Sequence, residues 1–243
     1  MELAARANVS ARHLGFVEVG RASPSRALVL RLAEELDVPL RQRNAWLNAA
    51  GFASVFGNGL LSDPSFEAVR RAIDFTLEVH KPFPAFAIDR LWNVVASNAA
   101  LPELYEGVNA ELLDPPVNVL RLSLHPSGLA PRIVNIDAWA THLLTRLRRE
   151  IELTADAELE NLMEEAKRYY RPAAFPSTGH DASGVVAVPL HIMTRLGKLS
   201  FLSTVTVFGT PVEVALSEIA LEMLFPADQR TADLVRAASE ASE

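Results

Sequence analysis

Cysteine is missing from all 243 residues. That excludes a disulfide framework and any thiolate zinc site, and it fits a reducing cytoplasm, the expected location. Long apolar runs are missing as well. No segment approaches the roughly 20 residues that cross a bilayer. The opening MELAARANVS lacks the apolar core of a secretory signal, so no membrane partner is expected. The loops that cradle nucleotides and the elbow that presents a nucleophilic serine are absent: there is no G-x-G-x-x-G, no P-loop and no G-x-S-x-G. The six histidines (His13, His80, His125, His142, His180 and His191) are scattered, and no two lie at helical ligand spacing. The acidic stretch LENLMEEAKRYY reads as a solvated helix face on which Glu160, Glu164 and Glu165 pair with Lys167 and Arg168. No enzyme, no metal and no resident cofactor is therefore expected.

What remains is ordinary globular material, 49% hydrophobic and 22% charged. The net charge of −7 is unevenly spread. Residues 1–56 carry seven arginines against five acids, leaving the rest of the chain at −9. A mildly basic module followed by an acidic one is a pattern that accompanies nucleic-acid-binding units.

The basic module reads as short helices. ELAARA forms one, Ser10 caps a second, and Gly20 ends it. Ser23 or Ser25 caps a third, in which Val29, Leu32, Ala33 and Leu36 make a core-facing stripe. RQRNAWLNAAG is a fourth, closed by Gly51. Two short helices joined by a tight turn are the core of a helix-turn-helix, whose second helix enters the major groove. On that second helix Leu14 and Val17 share one face, while Arg12, His13 and Phe16 lie on the other. Arg12 has the planar fork that suits guanine. Ser10, Arg21 and Arg26 are placed for phosphate contacts, which fix register without reading sequence. A plain solvated helix face has the same composition, so spacing alone leaves both readings open.

Beyond a linker rich in Gly, Asn, Ser and Pro, the second module reads as helix, hairpin, helices and strands. SFEAVRRAIDFTLEVH is an amphipathic helix. AFAID and LWNVVAS form a hairpin, and Asn98 is placed to cap a following short helix. Helical pattern runs from about Val117 to Tyr170, with breaks near LHPSGLAP and LTAD. AAFPSTGHDASG is a loop. VVAVPLHIM and KLSFLSTVTVF are strands turning at Gly197, and PVEVALSEIALEMLF reads as helix from Leu216, Ile219, Ala220 and Met223. This order points to an α+β domain with a small antiparallel sheet. The expected domains are 1–57 and 58–243.

The segment LAARANVSARHLGFVEVGRASPSRALVLRLAEELDVPLRQRNAWLNAAGFA resembles the XRE-type (Cro/repressor-like) helix-turn-helix regulators. Ser10, Glu18, Gly20, Arg21, Pro24 and Ser25 fall in the family's order. PPVNVLRLSLHPSGLAPRIVN and LSFLSTVTVFGTPVEVALSEIALEMLFPAD are similar to the PAS-like ligand-binding domain of MmyB-like members. The resemblance implies a one-component transcriptional regulator that binds double-stranded DNA as a homodimer and senses a small apolar molecule, a fatty acid being the leading candidate. Members of the family begin with a further Arg-rich helix, which has no counterpart before Glu2. The expectation is a truncated helix-turn-helix, with Leu14, Val17 and Leu32 short of cover. For the sensor pocket, strand alternation offers Phe86, Ile88, Trp92, Val94, Phe201 and Val205 as walls. Asn93, Asn98, Arg121 and His125 are the candidate polar anchors. The alternative is a small-molecule-binding or protein-interaction module without direct DNA affinity.

Overall fold

In the computed structural model, residues 2–57, 61, 63–170, 188–208 and 213–241 are described. The chain divides into two compact units, one holding residues up to Leu61 together with 213–217, the other holding the remainder.

The first unit is helical. α1 (Glu2–Arg6) and α2 (Ala11–Glu18) are separated by a turn in which Asn8 adopts a left-handed φ of 49°. Ser10 Oγ then accepts the His13 N–H at 3.1 Å, capping α2 as the sequence predicts. Gly20 closes α2 with φ of 70°, a conformation in which glycine has no Cβ to clash. α3 (Arg26–Glu35) is capped by Ser25, and α4 (Leu40–Ala49) ends at Gly51. Small side chains let α1 approach α3: Ala4, Ala7 and Ala33 are buried, with Leu28, Val29 and Leu47 completing the core. Arg6 Nε donates to Glu35 at 2.8 Å and fastens the same two helices.

The last part of this unit comes from far along the chain. Asn44 of α4, only 4% exposed, accepts the N–H groups of Val55 and Phe56 and donates to the Phe56 carbonyl. Gly57 next bridges Glu213 in parallel, and its carbonyl accepts the Val214 N–H at 2.9 Å. Val214 opens the single-turn helix that is numbered α9 below (Val214–Ser217) and is fully buried.

The second unit begins with α5 (Glu67–Val79), which buries Ile73 and Leu77. β1 (Ala85–Ile88) and β2 (Val94–Ser97) follow as a hairpin. Its turn is built by Asp89, whose carboxylate accepts the N–H groups of Leu91 and Asn93. α6 (Val119–Leu124), α7 (Ile136–Thr154) and α8 (Ala157–Tyr169) come next, then β3 (Leu190–Thr194) and β4 (Gly197–Val207). After α9, β5 (Ala220–Pro226) and α10 (Gln229–Glu240) complete the unit. The five described strands form one antiparallel sheet in the order β2-β1-β5-β4-β3, the α+β architecture expected from the sequence. Phe86, Ile88, Trp92, Phe201, Ile192 and Leu224 enter a single core with leucines of α6, α7 and α8. On another part of the sheet, α10 is pinned where Thr231 Oγ1 accepts the Ser200 N–H at 3.0 Å.

Three expectations are corrected. PVEVALSEIALEMLF is not a helix: only Val214–Ser217 is helical, and Ala220–Pro226 is a central strand bonded on both edges. Ala, Leu, Glu and Met favour helix intrinsically, and tertiary pairing with β1 and β4 overrides that preference. Leu91, Trp92 and Asn93 are not strand residues but belong to the hairpin turn, where Trp92 has a φ of 67°. Asn98 caps no helix: its side chain holds backbone groups of the neighbouring strand and helix, and the turn Pro102–Tyr105 has no side-chain cap. The predicted loop AAFPSTGHDASG and the first residues of VVAVPLHIM lie outside the described residues.

Candidate functional site

The candidate DNA surface is α2 and the turn after it. At about 1.5 Å per residue, its eight residues span roughly 12 Å, about the width of the major groove. Ser10, Arg12, His13, Phe16, Arg21 and Arg26 are all exposed. The Arg12 guanidinium lies 5.4 Å from the Phe16 ring centroid, a stacking contact that limits the rotamers of the fork. No ion pair to Arg12, Arg21 or Arg26 is present among the described residues. Their donors face solvent, as a phosphate-binding surface requires. Leu14, Val17 and Leu32 are half-buried, and α2 contributes no fully buried residue.

The sensor residues divide differently from the sequence expectation. Phe86, Ile88, Trp92 and Phe201 do meet in one core, with Val94 packed against it. Val205 stands at the far end of β4, 48% exposed. The four anchors hold protein groups. Asn98 Oδ1 accepts the Ala85 N–H at 3.1 Å, and its amide donates to the carbonyls of Leu77 and Phe83. Asn93 donates to Asp89 and accepts from Asn118, which tie the hairpin turn to the start of α6. Arg121 makes a two-pronged contact with Glu165, at 2.6 and 2.9 Å. The same bonds hold the Glu165 carboxyl below the usual carboxylate range. Glu165 thus pairs across to α6, while Glu164 takes Lys167 at 2.7 Å as expected. His125 Nδ1 accepts the Ser127 N–H, and its ring meets Tyr169 edge-on at 4.7 Å.

A second polar group crosses the sheet. Trp92 Nε1 donates to Glu150 at 2.7 Å, Arg146 bonds both Glu150 and the buried Glu222, and the Arg146 guanidinium stacks 4.4 Å from the Trp92 ring centroid. Burial raises the Glu150 carboxyl above its ordinary range, against the pull of Arg146. Burial, and then the charge of Arg146, lower His142 on the same helix. The Trp139 Nε1–H, also on α7, is buried without an acceptor among the described residues. His191 Nδ1 and Ser200 Oγ lie 2.8 Å apart, but Ser200 is buried under the first turn of α10. That pair is a clamp for the helix rather than an exposed nucleophile.

A space for a guest lies at one end of the sheet. A cavity of about 280 Å³ is bounded by Pro82 and Pro84 before β1, Leu104 after β2, and Leu196 in the β3–β4 turn. Leu199 and Phe201 of β4 and Val235 of α10 complete its apolar wall. Lys81 and Arg195 also line it. Each is held by a carboxylate, Lys81 by Glu78 at 2.6 Å and Arg195 by Glu103 at 2.5 Å. Of the residues proposed from sequence, Phe201 alone borders this cavity. Leu199 lines it from the same strand and Thr194 from the end of β3; the remaining walls come from turns and from α10, which carry no strand alternation to mark them.

Comparison with known families places this geometry. Residues 69–238 match the MmyB-like transcription regulator ligand binding domain. The chain belongs to that family. Residues 2–42 match a helix-turn-helix family. The two matches together support a DNA-binding transcription regulator with a ligand-sensing domain. No curated protein matches it. Among solved structures, one described as "Structure of an RNA-binding Light-Oxygen-Voltage Receptor" aligns at 13% identity and a TM-score of 0.29. That alignment covers 99% of this chain and 57% of the other, and so weak a likeness carries no argument. No group of three or more His, Asp or Glu placed to hold a metal occurs among the described residues, and no described helix is long and apolar enough to cross a membrane.

Proposed function

We propose that this regulator binds duplex DNA as a cytoplasmic homodimer through α2, and that it senses a medium-chain carboxylic acid, such as a fatty acid, in the cavity at the end of the sheet. It performs no catalysis on that guest. The observation that carries the reading is a pocket with an apolar floor and two cationic side chains, one of them paired with Glu103, which also lines it. Its 280 Å³ has room for roughly nine groups the size of a water molecule, enough for an acyl chain of that order. The Arg195 fork suits a carboxylate, which would take the place of Glu103. Two copies would present two recognition helices to half-sites one helical turn apart.

Native mass spectrometry of the purified chain, followed by titration with decanoate, tests this. The expected result is a dimer that retains an acyl-sized adduct. Val235→Trp, which fills the cavity, should abolish decanoate binding while the chain stays folded. Unimpaired binding by that variant would place the guest elsewhere. A second reading, a binding module without DNA affinity, draws support from the absence of any fully buried residue on α2. DNA binding that is absent, or insensitive to salt, would favour it.

A further inference from the structure

We propose that a second copy of this chain docks on the exposed stripe of α5 and the open face of β4 and β5 beside it, and that the two α5 helices pair there antiparallel about a twofold axis. The proposal rests on the reading of the regulator as a homodimer and adds the surface through which it pairs.

α5 carries two apolar stripes. Ile73 and Leu77 enter the core. Ala68, Ala72, Phe75, Thr76 and Val79 recur at helical spacing on another side of the helix, and all five are exposed, Phe75 at 70% and Val79 at 67%. The stripe does not stop at the helix. An open groove of about 300 Å³ lies between Phe75, Thr76 and Val79 and Met223 of β5. The His80 ring, at the end of α5, meets Phe225 edge-on at 4.7 Å. α5 therefore lies along the sheet face that bears Met223 and Phe225. Leu202 stands opposite Phe225 and Thr204 opposite Met223, so these two share that face. Leu202 is 37% exposed and Phe225 41%. All three elements belong to one compact unit. Single exposed apolar side chains are ordinary, but a contiguous set of them marks a contact surface.

The chemistry of this patch selects a second copy. None of its residues is Asp, Glu, Lys or Arg, while the chain beyond residue 56 carries a charge of −9. Two copies of one acidic unit repel each other least where neither presents a charge. The spacing along α5 is also self-complementary. The antiparallel register that sets Ala68 against the second copy's Val79 also sets Ala72 against its Phe75. Small faces large at both ends of the contact, as interdigitating helices require. The same register brings Arg71, on the flank of the stripe, between the second copy's Asp74 and Glu78. Arg71 gives up little to make that contact, since it meets Glu67 at 3.8 Å on open surface. A parallel pairing would instead set Phe75 on Phe75 and Arg71 on Arg71. The antiparallel contact uses the same patch on both copies and closes at two.

Sedimentation velocity of the full chain tests this. The parent should be a dimer. Phe75→Asp should raise its dissociation constant by about a hundredfold, about tenfold for each ring that loses its cover. Because Phe75 is exposed, this variant should melt with the parent. Arg71→Glu should weaken the dimer as well, and Glu78→Arg added to it should restore the affinity, a rescue that only facing charges predict. Leu153→Asp, at a comparably exposed apolar position on α7, should leave the dimer intact. A dimer that survives both Phe75→Asp and Arg71→Glu overturns this surface and leaves the homodimer reading standing. A monomeric parent ends both, and lower melting of Phe75→Asp in that case would give the stripe to another part of the same chain. Equal weakening by Leu153→Asp, or no rescue by Glu78→Arg, also overturns the placement.

Discussion

Replacing Arg21 and Arg26 with alanine tests the DNA surface through a slope. Both side chains are exposed and free of ion pairs among the described residues, so neither must give up an internal carboxylate before meeting a phosphate. Each phosphate neutralised changes the slope of log K against log salt by about 0.9. In the proposed homodimer, with two arginines on each subunit, the double variant should flatten the slope by roughly 3.6. The loss should be nearly the same for operator and random duplex, because such contacts carry no sequence information. Arg12→Ala should behave differently. If its fork reads a guanine, the loss is about 1–3 kcal/mol on the operator and much smaller on random sequence. Phe16→Ala should reproduce part of that loss, since the ring restrains the guanidinium. Fluorescence anisotropy of a promoter duplex between about 50 and 200 mM salt supplies the measurement. An unchanged slope in the double variant would refute the assignment of Arg21 and Arg26. Equal weakening of all sequences by Arg12→Ala would make Arg12 a backbone contact.

Asn98→Ala should destabilise the sensor unit by about 3 kcal/mol, because two buried backbone groups and one part-buried carbonyl lose their partner. A denaturant midpoint close to the parent's would show that water replaces the amide. Ser10→Ala should cost about 1 kcal/mol of local stability by uncapping α2. Its DNA affinity should fall further than its melting temperature, and the reverse order would separate α2 from DNA binding. Stability should also fall on acidification through His142. Burial and Arg146 hold its folded value below the ordinary one, so the unfolded chain takes the proton first. The loss begins as pH falls through about 6.5 and is complete below the folded value. His142→Gln should flatten melting temperature against pH in that window, and an unaltered profile would exclude this group.

The helical unit was legible because its punctuation is local. Ser10, Ser25, Gly20 and Gly51 act on their own neighbours, and each does what its residue type predicts. The strands were legible where an alternating run had a single interpretation, as in β4. β5 was not, because ALEMLFP satisfies both a helical stripe and a strand. The choice between them is made by β1 and β4, more than a hundred residues and about a dozen residues upstream, and no window around Ala220 contains them. α10 carries Leu234 and Val235 against the core beside the buried Thr231 and Ala232, a short stripe at helical spacing that the sequence reading did not take up.

The site divides on the same principle. Sequence alternation finds the middle of a sheet, and the middle of this sheet is filled. The polar side chains that suggested anchors are taken up by the protein itself: Asn98 holds backbone at the β1 edge, Asn93 bonds Asp89 and Asn118 in the hairpin turn, and Arg121 locks α6 to α8 through Glu165. Groups with that many partners cannot be spared for a guest without leaving polar atoms unpaired. A sheet's end is different. The ladder stops, turns with their own geometry take over, and side chains of unlike origin enclose space that no strand fills. Leu104, Leu196 and Val235 reach the same cavity from a single helical turn, a hairpin tip and a helix. A guest held there touches Leu199 and Phe201 on β4. The end of the sheet, not its centre, is where the described residues leave room for a guest.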